Sequence, residues 1–303
     1  MLVPLILAAG LIVSPAERVR EYVALGDSWS ADASLVDMTT EHVPSGCVQS
    51  SRNYPKQVAK ALRVTTFRDA TCAGATTAHL TAKQDVNRVK GLIGGVNAPQ
   101  FDRLRRTTDL VTLGIGGNDI GLAGAVRHCI SLLPRLSFAP AASLPAPFGS
   151  PCRDRWVKNG VDTMSRDIRA TEAKVVAAVK GIRQRSPRAH IMLVDYFAGL
   201  PEDGGCYPYV PVTDVDMRYL SAKLRELNAA LARAARATGA TFVDTYTPSK
   251  GHDVCQPSSK RWIVGLLPLS TDPLGPAVPF HPNQAGADYQ ARTVLATLRS
   301  ADV

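Results

Sequence analysis

The stretch Glu21-Tyr22-Val23-Ala24-Leu25-Gly26-Asp27-Ser28 begins as a β-strand and ends in a glycine, an acid and a serine. A short run with β-branched and aromatic residues, cut by glycine, reads as a buried strand. Ser28 then falls at the C-terminal end of that strand, the edge along which open α/β sheets bind their ligands. A helix opening there would aim backbone N–H groups and a positive dipole end at a negative charge. Gly-Asp-Ser alone also suits a plain helix N-cap, so the serine needs support from the rest of the chain.

Working outward, the pattern recurs. Tyr54 to Leu62 predicts a helix and Val64 to Phe67 a strand. Asp109 to Ile115 (DLVTLGI) predicts a buried strand running into Gly116-Gly117-Asn118-Asp119, with further strands at His190 to Phe197 and Thr241 to Asp244. Two long helices lie between the later strands. Val161, Met164, Ile168, Val175, Val179 and Ile182 make the apolar stripe of one, and Leu220, Leu224, Leu227, Leu231 and Ala235 that of the other. Gly239 sits where a helix-ending glycine belongs, and Gln284 to Leu298 predicts a last helix. Strands alternating with helices predict the α/β class: a three-layer α/β/α sandwich around a central, mostly parallel sheet. Two irregular stretches, Ile130 to Pro151 and Pro248 to Pro282, interrupt it, and long loops in compact domains tend to carry function.

The 303 residues are 45% hydrophobic and 20% charged, a composition that excludes a disordered chain. Residues 1–16 (MLVPLILAAGLIVSPA) have the apolar length and small-residue end of a secretory signal, although the segment lacks a Lys or Arg near its start. The expected organisation is a signal peptide over 1–16, a single domain over 17–303 and a secreted product. Six cysteines follow the signal, an even count that suggests three disulfides. Sequence order favours Cys47–Cys72, Cys129–Cys152 and Cys206–Cys255, each pair closing one local loop. No CxxC or clustered Cys/His spacing indicates a metal, so no metal and no cofactor are expected. The net charge of +9 would draw an exported protein to anionic membranes or cell-wall polymers. Lys and Arg are scattered and form no recognition motif, which argues against nucleic acid.

Four motifs carry candidate chemistry. Ser28 would need a base, and His281, in Pro279-Phe280-His281-Pro282-Asn283 before the last helix, is placed to supply one at the same sheet edge. Asn118 follows a strand and could donate its amide to an oxyanion, as could the N–H of Gly74 in Cys72-Ala73-Gly74-Ala75-Thr76-Thr77. Two rival signatures fail. Gly26-Asp27-Ser28-Trp29-Ser30 lacks the last glycine of the G-x-S-x-G elbow, and Gly114-Ile115-Gly116 is not completed as a dinucleotide fingerprint because Asp119 stands in the sixth place.

In this order (GDSW with Ser28, CAGATT with Gly74, GGND with Asn118, HPN with His281) the motifs resemble the SGNH/GDSL hydrolase family, and more closely its secreted actinobacterial lipases and esterases with six cysteines. The resemblance implies a flavodoxin-like SGNH fold and a serine esterase or lipase, with phospholipids among the candidate substrates. It implies Ser28 as nucleophile, His281 as base, and an oxyanion hole of the Ser28 N–H, the Gly74 N–H and the Asn118 side chain. The family often has Asp three residues before its histidine, where this chain has Val278. Some secreted members resemble this case and use a main-chain carbonyl, expected here from Val278 or next from Pro279. Asp272 is the nearest upstream acid that could serve instead.

The expected substrate is a small-molecule or lipid ester, met by a monomer with peripheral contact to an anionic surface. The apolar Ile130, Leu132, Leu133, Leu136, Phe138, Leu144 and Phe148 of the Cys129–Cys152 loop point towards acyl chains. The alternatives are a polysaccharide O-acetyl esterase of the same family and a non-catalytic exported binding protein.

Overall fold

The computed structural model describes residues 19–89, 91–130, 152–267, 269–272 and 274–301. The signal expected over 1–16 and the apolar residues expected to matter between 131 and 151 lie outside these. Five strands, β1 (Glu21–Gly26), β2 (Thr66–Asp69), β3 (Leu110–Gly114), β4 (His190–Val194) and β5 (Thr241–Val243), form one sheet. Their order is β2-β1-β3-β4-β5 and every pairing is parallel. This is the flavodoxin-like doubly wound order, whose crevice opens where the winding reverses, between β1 and β3.

The central strands β1, β3 and β4 are mostly apolar on both faces because both faces are covered. Val23, Leu25, Val111, Leu113, Ile191 and Leu193 share a core with α4 (Thr163–Arg185) and α5 (Asp214–Thr238). Their neighbours Tyr22, Ala24, Leu110, Met192 and Val194 point the other way, onto α2 (Tyr54–Leu62) and α6 (Gln284–Ser300). The two-residue alternation thus divides each strand between two helical layers. Truncating a central side chain such as Leu193 to Ala would cost about 2–5 kcal/mol.

Helix boundaries follow from caps. Asn53, Asp162, Thr213 and Asn283 each accept a backbone N–H from the first turn of the helix they open. Gly239 ends α5 at φ 67°. The Asp162 cap corrects one expectation: Val161 precedes the helix, sits in a short hairpin and is exposed. Strand β4 also stops at Val194, so Asp195, Tyr196 and Phe197 belong to the loop above the sheet.

The cysteines pair as Cys47–Cys72, Cys129–Cys152 and Cys206–Cys255. Cross-links over such loops typically stabilise by about 2–4 kcal/mol each. Cys47–Cys72 staples the turn after β2, so it bears directly on Gly74.

Candidate active site

Ser28 opens α1 (Ser28–Ala31) immediately after β1 and is 7% exposed. The turn is built around Gly26, whose φ of 156° and close approach exclude a side chain: a Cβ there would lie 2.6 Å from the Gly114 carbonyl. The buried Gln100 amide clamps the same residue, accepting from its N–H at 2.8 Å and donating to its carbonyl at 2.9 Å.

His281 reaches this turn from 253 residues further along the chain, and Nε2 lies 2.8 Å from Ser28 Oγ. Its loop is braced by Val264, which donates to the His281 carbonyl and accepts from the Phe280 N–H. Nδ1 lies 2.9 Å from the Pro279 carbonyl. A carbonyl only accepts, so Nδ1 carries the proton and Nε2 is left to accept from the serine hydroxyl. The carbonyl is therefore that of Pro279, not Val278 as expected first. The cause is Phe280, held at φ 60°, which folds the preceding carbonyl back onto the ring. Val278 instead packs beside Ala33, Val48 and Ala73. Asp272 pairs with Arg52 at 3.3 Å and takes no part in holding the imidazole. Burial pushes the His281 pKa down to about 4, and the positive charges of Arg88 and Arg127 push the same way against the opposing Pro279 contact. The ring is thus a free base above that pH.

The candidate oxyanion donors come from three neighbouring strand ends, those of β2, β1 and β3. The N–H groups of Ser28 and Gly74 meet no acceptor among the described residues. Asn118 donates one amide hydrogen to the Ala75 carbonyl at 2.9 Å, which orients the group and leaves its second hydrogen. The Gly74 turn is fixed by the Cys47–Cys72 bridge, by Ala73 N–H donating to Cys47 O, and by Gln84 and Arg88 donating to Ala73 O at 2.9 and 2.6 Å.

A link not foreseen from the sequence joins the nucleophile turn to the Asn118 turn. The Tyr196 hydroxyl accepts the Gly117 N–H at 2.8 Å and donates to Asp27 Oδ2 at 2.5 Å. Asp27 Oδ1 accepts the Trp29 N–H, capping α1. Asn228 of α5 holds the Tyr196 backbone on both sides, at 3.2 and 2.7 Å. Burial raises the Asp27 carboxyl to about 7, with Tyr196 and Trp29 opposing. Burial likewise raises Asp195 to about 7, but that carboxylate is spent on Thr245.

A cavity of about 530 Å³, lined among others by Leu200, Glu202, Asp203, Asp214, Lys250 and Asp253, includes neither Ser28 nor His281. The hydroxyl–imidazole contact, not cavity size, marks the candidate site. Among the described residues the one grouping of metal-ligand types is Cys129, Cys152 and Asp216, and its two cysteines are bonded to each other.

A parallel α/β sheet with a hydroxyl–imidazole pair at its carboxyl edge and free N–H donors beside it is the arrangement of a serine ester hydrolase. Comparison with known proteins agrees. The GDSL-like Lipase/Acylhydrolase family matches residues 24–289. "Lipase 2" of Streptomyces coelicolor is 35% identical over 282 residues, which cover 92% of this chain and 85% of that protein. Among solved structures, phospholipase A1 from Streptomyces albidoflavus NA297 superposes with a TM-score of 0.65 at 22% identity, covering 92% of this chain and 99% of that one. An extracellular lipase from Streptomyces rimosus gives 0.64 at 24%, covering 93% and 99%. At those identities the structural likeness is one of fold. The chain belongs to the GDSL-like lipase/acylhydrolase family and is a carboxylic ester hydrolase.

Proposed function

We propose that this protein is an exported hydrolase of lipid acyl esters in which Ser28 is the nucleophile and His281 its general base. The single observation that carries the reading is the 2.8 Å contact between Ser28 Oγ and an imidazole whose other nitrogen is already committed to Pro279. Ser28 attacks the ester carbonyl as its proton passes to Nε2. The tetrahedral oxyanion is received by the Ser28 N–H, the Gly74 N–H and the Asn118 amide. The imidazolium then protonates the leaving alcohol, and water repeats the sequence on the acyl-enzyme. A neutral carbonyl fixes the tautomer but stabilises the imidazolium less than a carboxylate would.

Export is supported by the three disulfides, by the signal-like residues 1–16, which are proposed to be removed from a domain over 17–303, and by the extracellular relative. No helix among the described residues is long and apolar enough to cross a membrane. Lipid esters are supported by relatives named as a lipase and a phospholipase A1. A monomer suffices, since both members of the pair come from one chain.

Ser28→Ala is expected to abolish turnover of a p-nitrophenyl ester, with a loss of about 10⁶ by analogy with other serine hydrolases, while near-ultraviolet circular dichroism stays unchanged. Retained turnover in a folded variant would overturn the assignment. A strict preference for acetyl esters across an acetyl-to-palmitoyl panel would overturn the lipid part alone.

A further inference from the structure

Large apolar side chains left in water are ordinary when scattered and informative when gathered. Of the ten such side chains exposed among the described residues, six sit on or next to two hairpins that connect to the Gly74 turn and to the His281 segment. The first hairpin pairs Gln84–Asp85 with Val96–Asn97 and exposes Val89, Leu92 and Val96, with Leu92 at 79%. It is rooted at Gly74, because Gln84 and Arg88 both donate to the Ala73 carbonyl. The second pairs Leu269–Thr271 with Leu274–Pro276 and exposes Leu267, Leu269 and Leu274, with Leu274 at 80%. It runs directly into the segment ending at His281, and Ala277 bridges to Ser34 beyond α1.

Near the first hairpin and His281, cations without a carboxylate partner outnumber acids. Lys83, Arg88 and Arg127 meet no carboxylate within ion-pair distance among the described residues. Asp85 accepts from the neutral Asn87 and keeps its charge, while Asp37 and Asp272 share Arg52. Apolar tips beside a surplus of cations match an anionic lipid–water interface, where leucines enter the acyl boundary and arginines meet headgroups.

We propose that the hairpins around Leu92 and Leu274 dock the carboxyl edge of the sheet onto an anionic lipid surface. This extends the lipid-ester reading, but its test needs no turnover. The Ser28→Ala chain, which leaves vesicles intact, is co-sedimented with phosphatidylglycerol vesicles and with phosphatidylcholine vesicles. It should bind the anionic vesicles more tightly, and Leu92→Asp and Leu274→Asp should each weaken that binding at least about tenfold. With Ser28 present, the same two substitutions should leave turnover of soluble p-nitrophenyl butyrate within about twofold, as befits exposed positions. Binding unchanged by both substitutions, or equal on the two kinds of vesicle, overturns the proposal. So does a dimer in sedimentation velocity that the substitutions abolish, because the patch would then be an interface between copies. A wild-type chain that binds vesicles but hydrolyses no ester sinks the catalytic reading and leaves the docking surface standing.

Discussion

The two sides of the site are held in different ways. Around Ser28, the proposed nucleophile, position is set by side chains: Gln100 clamps Gly26, Asp27 caps α1, and Tyr196 ties Asp27 to Gly117. Around His281, the proposed base, it is set by backbone: Val264 grips the loop through main-chain hydrogen bonds and the Pro279 carbonyl orients the ring through a left-handed Phe280. A network of side chains can be loosened one substitution at a time. A ring held by main chain cannot, because almost any residue supplies a carbonyl.

The comparison predicts an asymmetry in substitution effects. The largest is expected at Asn118→Ala, where losing one oxyanion donor should lower kcat about 10²–10³-fold with little change in KM. An effect confined to KM would remove Asn118 from the oxyanion hole and weaken the nucleophile side of the contrast. Tyr196→Phe should come next. It takes the partner from the Gly117 N–H and from Asp27 Oδ2 and lets the Asn118 turn drift, so kcat on a soluble ester should fall about 10–100-fold. A fall below about twofold would show that the two turns keep their places without the link.

The last effect, and near neutrality the smallest, concerns pH. His281 must be neutral to act as base, so activity should be lost as pH falls through about 4. Asp27 must be ionised to accept from both Tyr196 and Trp29, so a shallower decline should accompany its protonation as pH falls through about 7. Tyr196 from the β4 loop, Asp119 from the β3 loop and Tyr54 from α2 face that carboxylate. A kcat profile of wild type against Asp27→Asn tests it: the inflection near 7 should vanish in the variant while the one near 4 stays. An inflection that persists would point to Asp195, which titrates in the same range.

What could be read in advance follows the same division. Ser28, Gly74 and Asn118 stand where apolar runs end in glycine-containing turns, and strand ends in an α/β sheet are where reactive groups collect. The Pro279 carbonyl was harder to foresee than its neighbour Val278, because choosing between them depends on a φ of 60° at Phe280, a conformation that bulky residues rarely adopt. Tyr196 was hidden for another reason. It continues the apolar run His190 to Phe197, and hydrophobicity does not reveal that the ladder stops at Val194. The Val161 error has a signal that could have found it: Asp162, two and three residues before Met164 and Ser165, is the helix cap.

The separation of 253 residues between hydroxyl and imidazole bears on how such a molecule is made. A chain emerging from its start can gather the partners of the serine turn, Gln100 and Gly114, while the histidine has yet to be synthesised. On the assignment proposed above, ester cleavage has to wait until the segment before the closing helix delivers the imidazole.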